Sequence, residues 1–403
     1  MSEQKKWVPK LRFPEFRGVE GWEAEKIDVL VDTVTPPKKL PTSSYAHQGA
    51  FPIVDQSQSE ICGWTDNQDA LIKNDLPLIV FGDHTCILKF VHQPFAQGAD
   101  GIKILKSRSN IDASYLYQYL NYRPVVTEEY KRHYSILKEK VVLFPGIKTG
   151  EQQKIADCLS SLDELIAAIA RKVDALKTHK KGLMQQLFPM EGETQPRLRF
   201  PEFRDASDWE SGSLGDTFET SSGGTPSRSK ESYWGGKILW VTTSLVNSCV
   251  IIDAEEHITE SGLKNSSAKV FPKGTVLIAM YGQGKTRGQV ALLGVEAATN
   301  QACAAILPNK GIEPYFVFLS LVSRYEEFRK LSNSGGQENL SQGLIREIPF
   351  AYPPNIAEQQ RIANCLTPLD GLITAATQEL EALKTHKKAL MQQLFPLAQE
   401  VEP

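Results

Sequence analysis

Polar side chains that can bind bases and phosphates are concentrated in turn-rich segments. Gln and Asn amides can form paired hydrogen bonds with adenine, and Arg and Lys can do so with guanine. Each segment taken alone is also typical of an ordinary solvated loop. The candidate contact residues are Lys38, Lys39, Gln56, Ser57, Gln58, His84, Arg108, Lys131 and Arg132 in the first part of the chain, and Thr225, Ser227, Arg228, Thr243, Ser244, Tyr281, Gln283, Lys285, Arg287, Gln337 and Asn339 in the second.

The chain lacks the sequence motifs of the common enzyme classes. Gly284-Lys285-Thr286 resembles the end of a phosphate-binding loop, but that loop needs glycine where the chain has Ala279. Tyr352-Pro353-Pro354-Asn355 matches a methyltransferase tetrapeptide only when it is read backwards. No serine-hydrolase, zinc-protease or nuclease motif is present. The sequence therefore favours a binding protein, and an enzyme with an unfamiliar site stays an open alternative.

An internal repeat frames the polar segments. Residues 151–189 recur as residues 358–396, and 26 of the 39 aligned positions are identical. Residues 11–17 and 198–204 both spell LRFPEFR. The bodies between these repeats show no obvious sequence alignment. The chain is therefore a tandem duplication in which a common frame carries two different interiors.

The longer repeat has the pattern of a coiled-coil helix. Apolar residues recur at alternating steps of four and three, with the same phase in both copies. Such stripes could bury each helix on its own lobe, but two matched stripes favour packing of one helix on the other. The predicted helix–helix residues are Ile155, Leu159, Leu162, Ile166, Ile169, Val173, Leu176, Leu183 and Leu187, and Ile362, Leu366, Leu369, Ile373, Leu380, Leu383, Leu390 and Leu394.

Two local features modify this helix prediction. Lys180 and Lys387 interrupt both stripes at the same position, where they could either set the helix register or extend their ammonium groups to solvent. Residues 161–164 have the pattern of a capping box and Thr367-Pro368 that of a helix start, so each copy is predicted to break once. A helix over residues 161–187 would span ~40 Å. One turn of B-DNA is ~34–36 Å, so this helix could hold two readers about a turn apart.

The bodies between the repeats have mixed α and β patterns. Short apolar runs bounded by turn residues predict strands, and longer runs with helical periodicity predict helices. Strands are predicted at 76–81, 85–91, 101–105, 237–243, 274–280, 288–293 and 302–307, and helices at 113–122 and near 314–331.

Composition limits the class of protein. A chain of 403 residues suits two domains, and its apolar runs are far shorter than the ~20 residues that span a bilayer, so we expect a cytoplasmic protein. Six scattered cysteines predict neither a zinc site nor disulfides. With 45 basic and 48 acidic side chains, the chain is not a polycation. Any phosphate neutralisation must therefore come from local patches or be shared with a partner.

These features together resemble the specificity subunits of type I restriction and modification systems. The likeness is carried by a variable body, an EQQ-x-I-A entry to a heptad helix, and then KTHKK and LMQQLFP, all repeated once. Gly223-Gly224-Thr225-Pro226-Ser227 and Asn300-Gln301 support it in the second body, and Phe51-Pro52-Ile53 supports it in the first.

The resemblance implies an α+β fold and a domain plan. We expect two mixed α/β target-recognition domains separated by two long antiparallel coiled-coil helices, in a tandem repeat with pseudo-two-fold symmetry. Each domain would read one half of a bipartite, non-palindromic site in double-stranded DNA. The expected segments are domains at 1–150 and 190–357, helical spacers at 151–189 and 358–396, and a tail at 397–403.

The resemblance also implies partners that carry the chemistry. Two modification subunits would methylate adenine with S-adenosylmethionine, and restriction subunits would use ATP and Mg²⁺ for translocation and cleavage. We therefore expect no catalytic centre, cofactor or metal in this chain. The alternative is a two-lobed DNA-binding regulator that works without restriction partners.

Overall fold

The computed structural model describes residues 7–126, 132–282, 285–331 and 339–396. Lys131, Gln283 and Gln337, and the expected tail at 397–403, lie outside the described residues. The chain divides into two compact units, residues 1–171 with 377–403 and residues 172–376. Of the helices in the described ranges, none is long and apolar enough to cross a membrane.

The described residues of the first unit form ten strands and three short helices, followed by the beginning of a long helix. The strands are β1 (Glu23–Lys26), β2 (Val31–Val34), β3 (Phe51–Val54), β4 (Gly63–Thr65), β5 (Leu71–Ile72), β6 (Leu78–Gly82), β7 (Leu88–Val91), β8 (Phe95–Gln97), β9 (Ile102–Ser107) and β10 (Val141–Phe144). The helices are α1 (Ile27–Leu30), α2 (Ala113–Tyr122), α3 (Tyr134–Glu139) and the long α4 (Glu151–Leu187).

The second unit has a similar inventory with a few additions. Its strands are β11 (Glu210–Ser213), β12 (Thr220–Ser222), β13 (Trp234–Val241), β14 (Cys249–Ile251), β15 (Glu256–Ile258), β16 (Val270–Phe271), β17 (Val276–Ala279), β18 (Val290–Leu293), β19 (Ala297–Thr299), β20 (Cys303–Ile306) and β21 (Pro349–Tyr352). Its helices are α5 (Leu214–Thr217), α6 (Glu260–Lys264), α7 (Pro314–Ser323), α8 (Tyr325–Leu331), α9 (Gln342–Glu347) and the long α10 (Ile356–Leu394).

The two bodies share one sheet topology although their sequences do not align. The sheet β2-β9-β6-β7 corresponds to β12-β20-β17-β18, to which β14 is added, and β4-β3-β8-β5 corresponds to β15-β13-β19-β16. The directions also agree, because β3–β8 and β13–β19 are parallel pairs and the other corresponding pairs are antiparallel. The two dissimilar interiors are therefore versions of the same α+β fold, as the fold-class prediction requires.

Each body buries its central sheet on both faces. In β6, Ile79 and Phe81 join a core that includes Tyr115 of α2, and Val80 on the opposite face joins a core with Val54 of β3. Successive strand residues point to opposite faces, so an unbroken apolar run is what a doubly covered strand needs. In the second body, β17 and β18 likewise contribute alternate residues to two different cores.

Most strand and helix predictions are confirmed, but both predicted helix breaks are wrong. Helix α4 is continuous, and the hydroxyl of Ser161 donates to the carbonyl of Asp157 (2.9 Å) within the helix and forms no cap. Helix α10 continues through Pro368, an exposed position flanked by buried Leu366 and partly buried Leu369. Packing of the apolar face therefore overrides the local signals that predicted a new helix start. The helix predicted near 314–331 is divided into α7 and α8 at Arg324.

Within each unit, the beginning of one long helix lies antiparallel to the end of the other. In the first unit, Ile155 of α4 shares a core with Leu394 of α10, and Asp163 accepts a hydrogen bond from Lys387 (2.5 Å). In the second unit, Leu187 shares a core with Ile362, and Asp370 accepts from Lys180 (2.5 Å). Every predicted helix–helix residue is buried or partly buried, whereas Leu165 and Leu372, outside the stripes, are 44% and 51% exposed.

The LRFPEFR segment ties the paired helices together in each unit. Arg12 donates to the buried carboxylate of Glu151, in the first turn of α4, with N···O distances of 2.8 and 2.6 Å. The amide of Leu11 donates to the carbonyl of Gln393 (2.9 Å), near the end of α10. The second copy repeats both interactions, with Arg199 on Glu358 (2.7 and 2.7 Å) and Leu198 on Gln186 (2.8 Å).

The glutamine after each of these glutamates fastens the helix to its lobe. Gln152 donates to the carbonyl of Pro145 (2.6 Å) and accepts from the amide of Asp112 (2.7 Å), the N-cap of α2. In the second unit, Gln359 donates to Pro353 (2.8 Å) and accepts from Glu313 (2.7 Å), the N-cap of α7. The repeated EQQ motif is thus explained by one ion pair and one amide bridge in each unit.

We predict that Arg12→Met lowers the free energy of unfolding by about 3–5 kcal/mol, because it leaves the buried Glu151 carboxylate without its counterion. Equilibrium urea unfolding would measure the loss. Arg17→Met is the matched control, since Arg17 belongs to the same motif but is exposed. Equal effects of the two substitutions would contradict the assignment.

Candidate nucleic-acid interface

Four loops of the first body meet at one edge of its sheets. The parallel strands β3 and β8 end there, and the amide of Gly98 donates to the carbonyl of Val54 (2.9 Å). The loop after β6 joins them, because the amide of Asp83 donates to Gly101 (2.7 Å). The amide of His133 in turn donates to Asp83 (2.8 Å). We call residues 55–58, 83–86, 98–101 and 132–133 the first loop edge.

Most candidate residues of the first body lie at or beside this edge. Gln56, Ser57 and Gln58 follow β3, and the carbonyl of Gln56 accepts the hydroxyl of Thr85, next to His84 (3.0 Å). Lys38 and Lys39 are exposed, and Lys39 pairs with Asp100 (2.5 Å). Arg132 is exposed beside His133. Five separate sequence segments therefore present polar side chains on one surface.

Arg108 lies apart from the other candidates. It follows β9 at the end opposite to the first loop edge, so the length of the strand, roughly 20 Å, separates them. Its guanidinium donates to Asp32 (3.1 and 2.8 Å) and to the carbonyl of Val29 (3.0 Å). The hydrogen bond from Arg108 holds the pKa of the Asp32 carboxyl below its ordinary value. The structure therefore gives Arg108 a role within its own lobe.

Gly101 and Gln56 show how tightly the first loop edge is packed. Gly101 has φ +97°, and a Cβ there would lie 2.6 Å from the Gln56 amide nitrogen. The Gln56 Oε1 atom is buried and has no hydrogen-bond partner among the described residues.

Lys89 is a basic residue at this edge that sequence reasoning missed. Its side chain is buried at an inward position of β7, and its ammonium group donates to the carbonyl of Ser59 (2.5 Å). Burial lowers the pKa of this ammonium group. The available signal was a lysine at a position where strand alternation calls for an apolar residue.

The second body builds the corresponding edge with the same hydrogen bonds. The amide of Asn300 donates to Val241 (3.0 Å), and that of Met280 donates to Ala302 (2.8 Å). The amide of Leu340 then donates to Met280 (3.1 Å). The second loop edge consists of residues 223–228, 242–244, 280–282, 285–287, 300–302 and 339–340.

Candidate residues in the two bodies occupy matching positions in this hydrogen-bond scheme. Gln56 and Thr243 each stand two residues after a strand residue, Val54 or Val241, whose carbonyl accepts a hydrogen bond from the neighbouring loop. His84 and Tyr281 each follow the residue, Asp83 or Met280, whose amide donates across the edge. Arg132 and Asn339 each precede the residue whose amide donates to the carbonyl of Asp83 or Met280. Since the two bodies do not align in sequence, only the structure reveals this equivalence.

Arg228 is held in a fixed position at the second loop edge. Its guanidinium pairs with Glu256 and lies over the rings of Trp234 and Trp240, 3.8 and 4.9 Å from their centroids. The hydrogen bond from Arg228 lowers the pKa of the Glu256 carboxyl. Sequence reasoning selected Arg228 but missed the two indoles and the carboxylate that hold it.

The remaining candidates at this edge are polar and mostly accessible. Thr225 donates to the side chain of Gln301 (2.6 Å), a residue named only in the family motif. Ser227 and Ser244 are exposed and bond to Ser229 (2.9 Å) and Thr242 (2.6 Å). Tyr281, Lys285 and Asn339 are exposed, and Arg287 is partly buried.

Comparison with known proteins finds one family throughout. Residues 206–385 match the family model described as the type I restriction modification DNA specificity domain. The chain is 25% identical over 347 residues to the EcoR124I/EcoR124II specificity subunit of Escherichia coli, with 82% of each chain covered. It is 23% identical over 416 residues to the MjaVIII specificity subunit of Methanocaldococcus jannaschii, with 95% of each covered.

A solved structure has the same fold. The crystal structure of the type I restriction-modification S subunit from M. genitalium matches with a TM-score of 0.68 at 19% identity. The match covers 97% of this chain and 99% of that one. At this identity the likeness concerns the fold alone.

We predict that Gly101→Ala destabilises the first unit by about 1–3 kcal/mol, because a side chain is strained at this φ and its Cβ meets the Gln56 amide. Urea unfolding would measure the change. Gly18→Ala is the control, since its Cβ would meet nothing within 4 Å. Adding Gln56→Ser should recover part of the loss; no recovery would show that the contact is unimportant.

Proposed function

We propose that this chain is a type I restriction-modification specificity subunit whose two loop edges each read one half of a bipartite, non-palindromic site in double-stranded DNA. As such a subunit it is the DNA-recognition component of its complex and not a catalyst. A stand-alone regulator is not supported by these relatives.

The observation that carries the proposal is the matched placement of polar side chains on two equivalent scaffolds. Gln56, His84 and Arg132 on one edge are replaced by Thr243, Tyr281 and Asn339 on the other. Sequence is read through donors and acceptors on base edges. Two surfaces with the same backbone and different side chains would therefore prefer different half-sites.

The long helices would fix the spacing between the half-sites. Helix α4 is an unbroken 37 residues, about 55 Å at the usual rise, and is longer than the ~40 Å expected from the sequence. A continuous helix transmits position along its length better than two short helices joined by a turn. We propose that α4 and α10 together set a constant number of unread base pairs.

The complex also contains methyltransferase and restriction subunits, and we propose that two modification subunits bind each specificity subunit. Lys177, Thr178, His179 and Lys181 are exposed in the first copy of KTHKK, and the matching residues at 384, 385, 386 and 388 are exposed in the second. Packing does not require exposed residues to be identical. Two identical exposed surfaces are consistent with two copies of one partner.

The chemistry would belong to these partners. S-adenosylmethionine, ATP and Mg²⁺ would bind to the modification and restriction subunits, in the cytoplasm where the DNA lies. In the part of the chain that the structure describes, no cluster of three or more His, Cys, Asp or Glu could hold a metal ion. The near-neutral charge of the chain suits a complex whose members share phosphate neutralisation.

Mapping methylated adenines in a genome that expresses this chain with its partners tests the function. We expect one bipartite motif with a constant gap and two different halves. Exchanging residues 210–357 for the corresponding body of another specificity subunit should change one half only, and exchanging 23–150 should change the other. A palindromic motif, or a change of both halves in one exchange, would contradict the proposal.

We predict that Arg132→Ala weakens DNA binding by the assembled complex. The plot of the logarithm of the DNA-binding constant against the logarithm of salt concentration should also become less steep, by about one unit of slope. Arg108→Ala is the matched control in the same body, since Arg108 lies away from the loop edge and is paired with Asp32. Its affinity and salt slope should stay unchanged. Equal changes of affinity and salt slope in the two variants would contradict the prediction, because both arginines would then lie on the DNA-binding surface or both would lie off it.

A further inference from the structure

The apolar stripes of α4 and α10 do not by themselves determine the direction in which the helices pair. The two copies of the repeat have stripes of the same phase. In a parallel, in-register pair each stripe residue would face its own copy, and apolar residues would still meet apolar residues. Antiparallel pairing buries the same residues. Something other than hydrophobicity must therefore distinguish the two directions.

Two charged pairs in the otherwise apolar stripes provide the distinction. The ammonium group of Lys180 lies 2.5 Å from Asp370, and that of Lys387 lies 2.5 and 2.6 Å from the two oxygens of Asp163. The lysine side chains are only 11% and 14% exposed. They therefore pair across the helices, and do not extend to solvent. This resolves the alternative that the sequence left open.

Each aspartate also receives a hydrogen bond from its lobe. Gln118 of α2 donates to Asp163 (2.8 Å), and Tyr315 of α7 donates to Asp370 (2.8 Å). Each carboxylate is thus held between a lobe helix and the lysine of the opposite long helix. The two units achieve this with different donors, so the shared feature is the Lys–Asp pair itself.

We propose that Lys180, Lys387, Asp163 and Asp370 select the antiparallel direction of the long helices by charge. Parallel in-register pairing would bring Lys180 to Lys387 and Asp163 to Asp370, and both contacts would be repulsive. Antiparallel pairing converts both into attractions. Buried ion pairs are often no more stabilising than apolar residues of the same size, so their value here is discrimination against the wrong alignment. The inference concerns the helix pair and does not depend on the proposed reading of DNA.

Exchanging the charges within a single helix tests this inference. In the full chain, Lys180→Asp with Asp163→Lys keeps composition and net charge but places an acid opposite Asp370 and a base opposite Lys387. We expect the melting temperature to fall by at least about 5 °C. Adding Lys387→Asp and Asp370→Lys exchanges the charges in the other helix as well, so that opposite charges face each other again. The melting temperature should then recover to within about 2 °C of the original.

Gln118 and Tyr315, which donate to the two aspartates, can also accommodate the exchanged charges. Gln118 Oε1 is buried and has no hydrogen-bond partner among the described residues, so it can accept from an ammonium group at position 163. The hydroxyl of Tyr315 can likewise accept from one at position 370. Recovery in the four-residue variant is therefore chemically possible.

The salt dependence of melting distinguishes charge selection from a general packing defect. The one-helix variant should gain melting temperature when NaCl is added, because salt screens its like-charge contacts, while the native chain and the four-residue variant should not gain. Lys172→Asp with Asp174→Lys is the matched control, since both residues are exposed on the same helix. It should melt within about 2 °C of the native chain.

Failure of the four-residue variant to recover would overturn the proposal. That result would show that the lysines and aspartates are fixed by their own surroundings and not by one another. A one-helix variant that melts like the native chain would overturn it as well. Neither result would affect the DNA-reading proposal, which is tested by the methylated motif.

Discussion

The buried ion pair between Arg12 and Glu151, repeated by Arg199 and Glu358, is the interaction on which each unit depends. A carboxylate removed from water in the first turn of a long helix needs a counterion, and in each copy the arginine of LRFPEFR supplies it. The neighbouring leucine amide binds the end of the opposite helix. One short segment therefore fixes a helix start, a helix end and the lobe that they support.

The same scaffold can carry two unrelated sequences because backbone hydrogen bonds, not particular side chains, define its sheets. Corresponding strands pair in the same order and direction in both bodies. Their cores keep apolar character while the individual residues change. Exposed side chains of the loop edges, such as Arg132 and Asn339, take no part in this packing, so they can differ between the bodies without altering the frame. This is the arrangement expected of a protein whose specificity must vary.

Two basic side chains at or near the loop edges are held in place by their surroundings. Arg228 lies over two indoles and pairs with Glu256, so the proposed contact with DNA would cost this side chain little conformational entropy. Lys89 is held beneath the first loop edge with its ammonium group on a backbone carbonyl.

Local periodicity and the internal repeat determined the long helices and most strands, and they carried the resemblance to specificity subunits. Such features are recorded between residues a few positions apart, or between near-identical copies. Only the tertiary structure decided that α4 and α10 continue through Ser161 and Pro368, that Arg108 lies away from the loop edge, and that both bodies share one topology. The pairing of Arg12 with Glu151 spans 139 residues. Contacts of that range arise from packing and backbone hydrogen bonding, which leave no periodic signal in a single sequence.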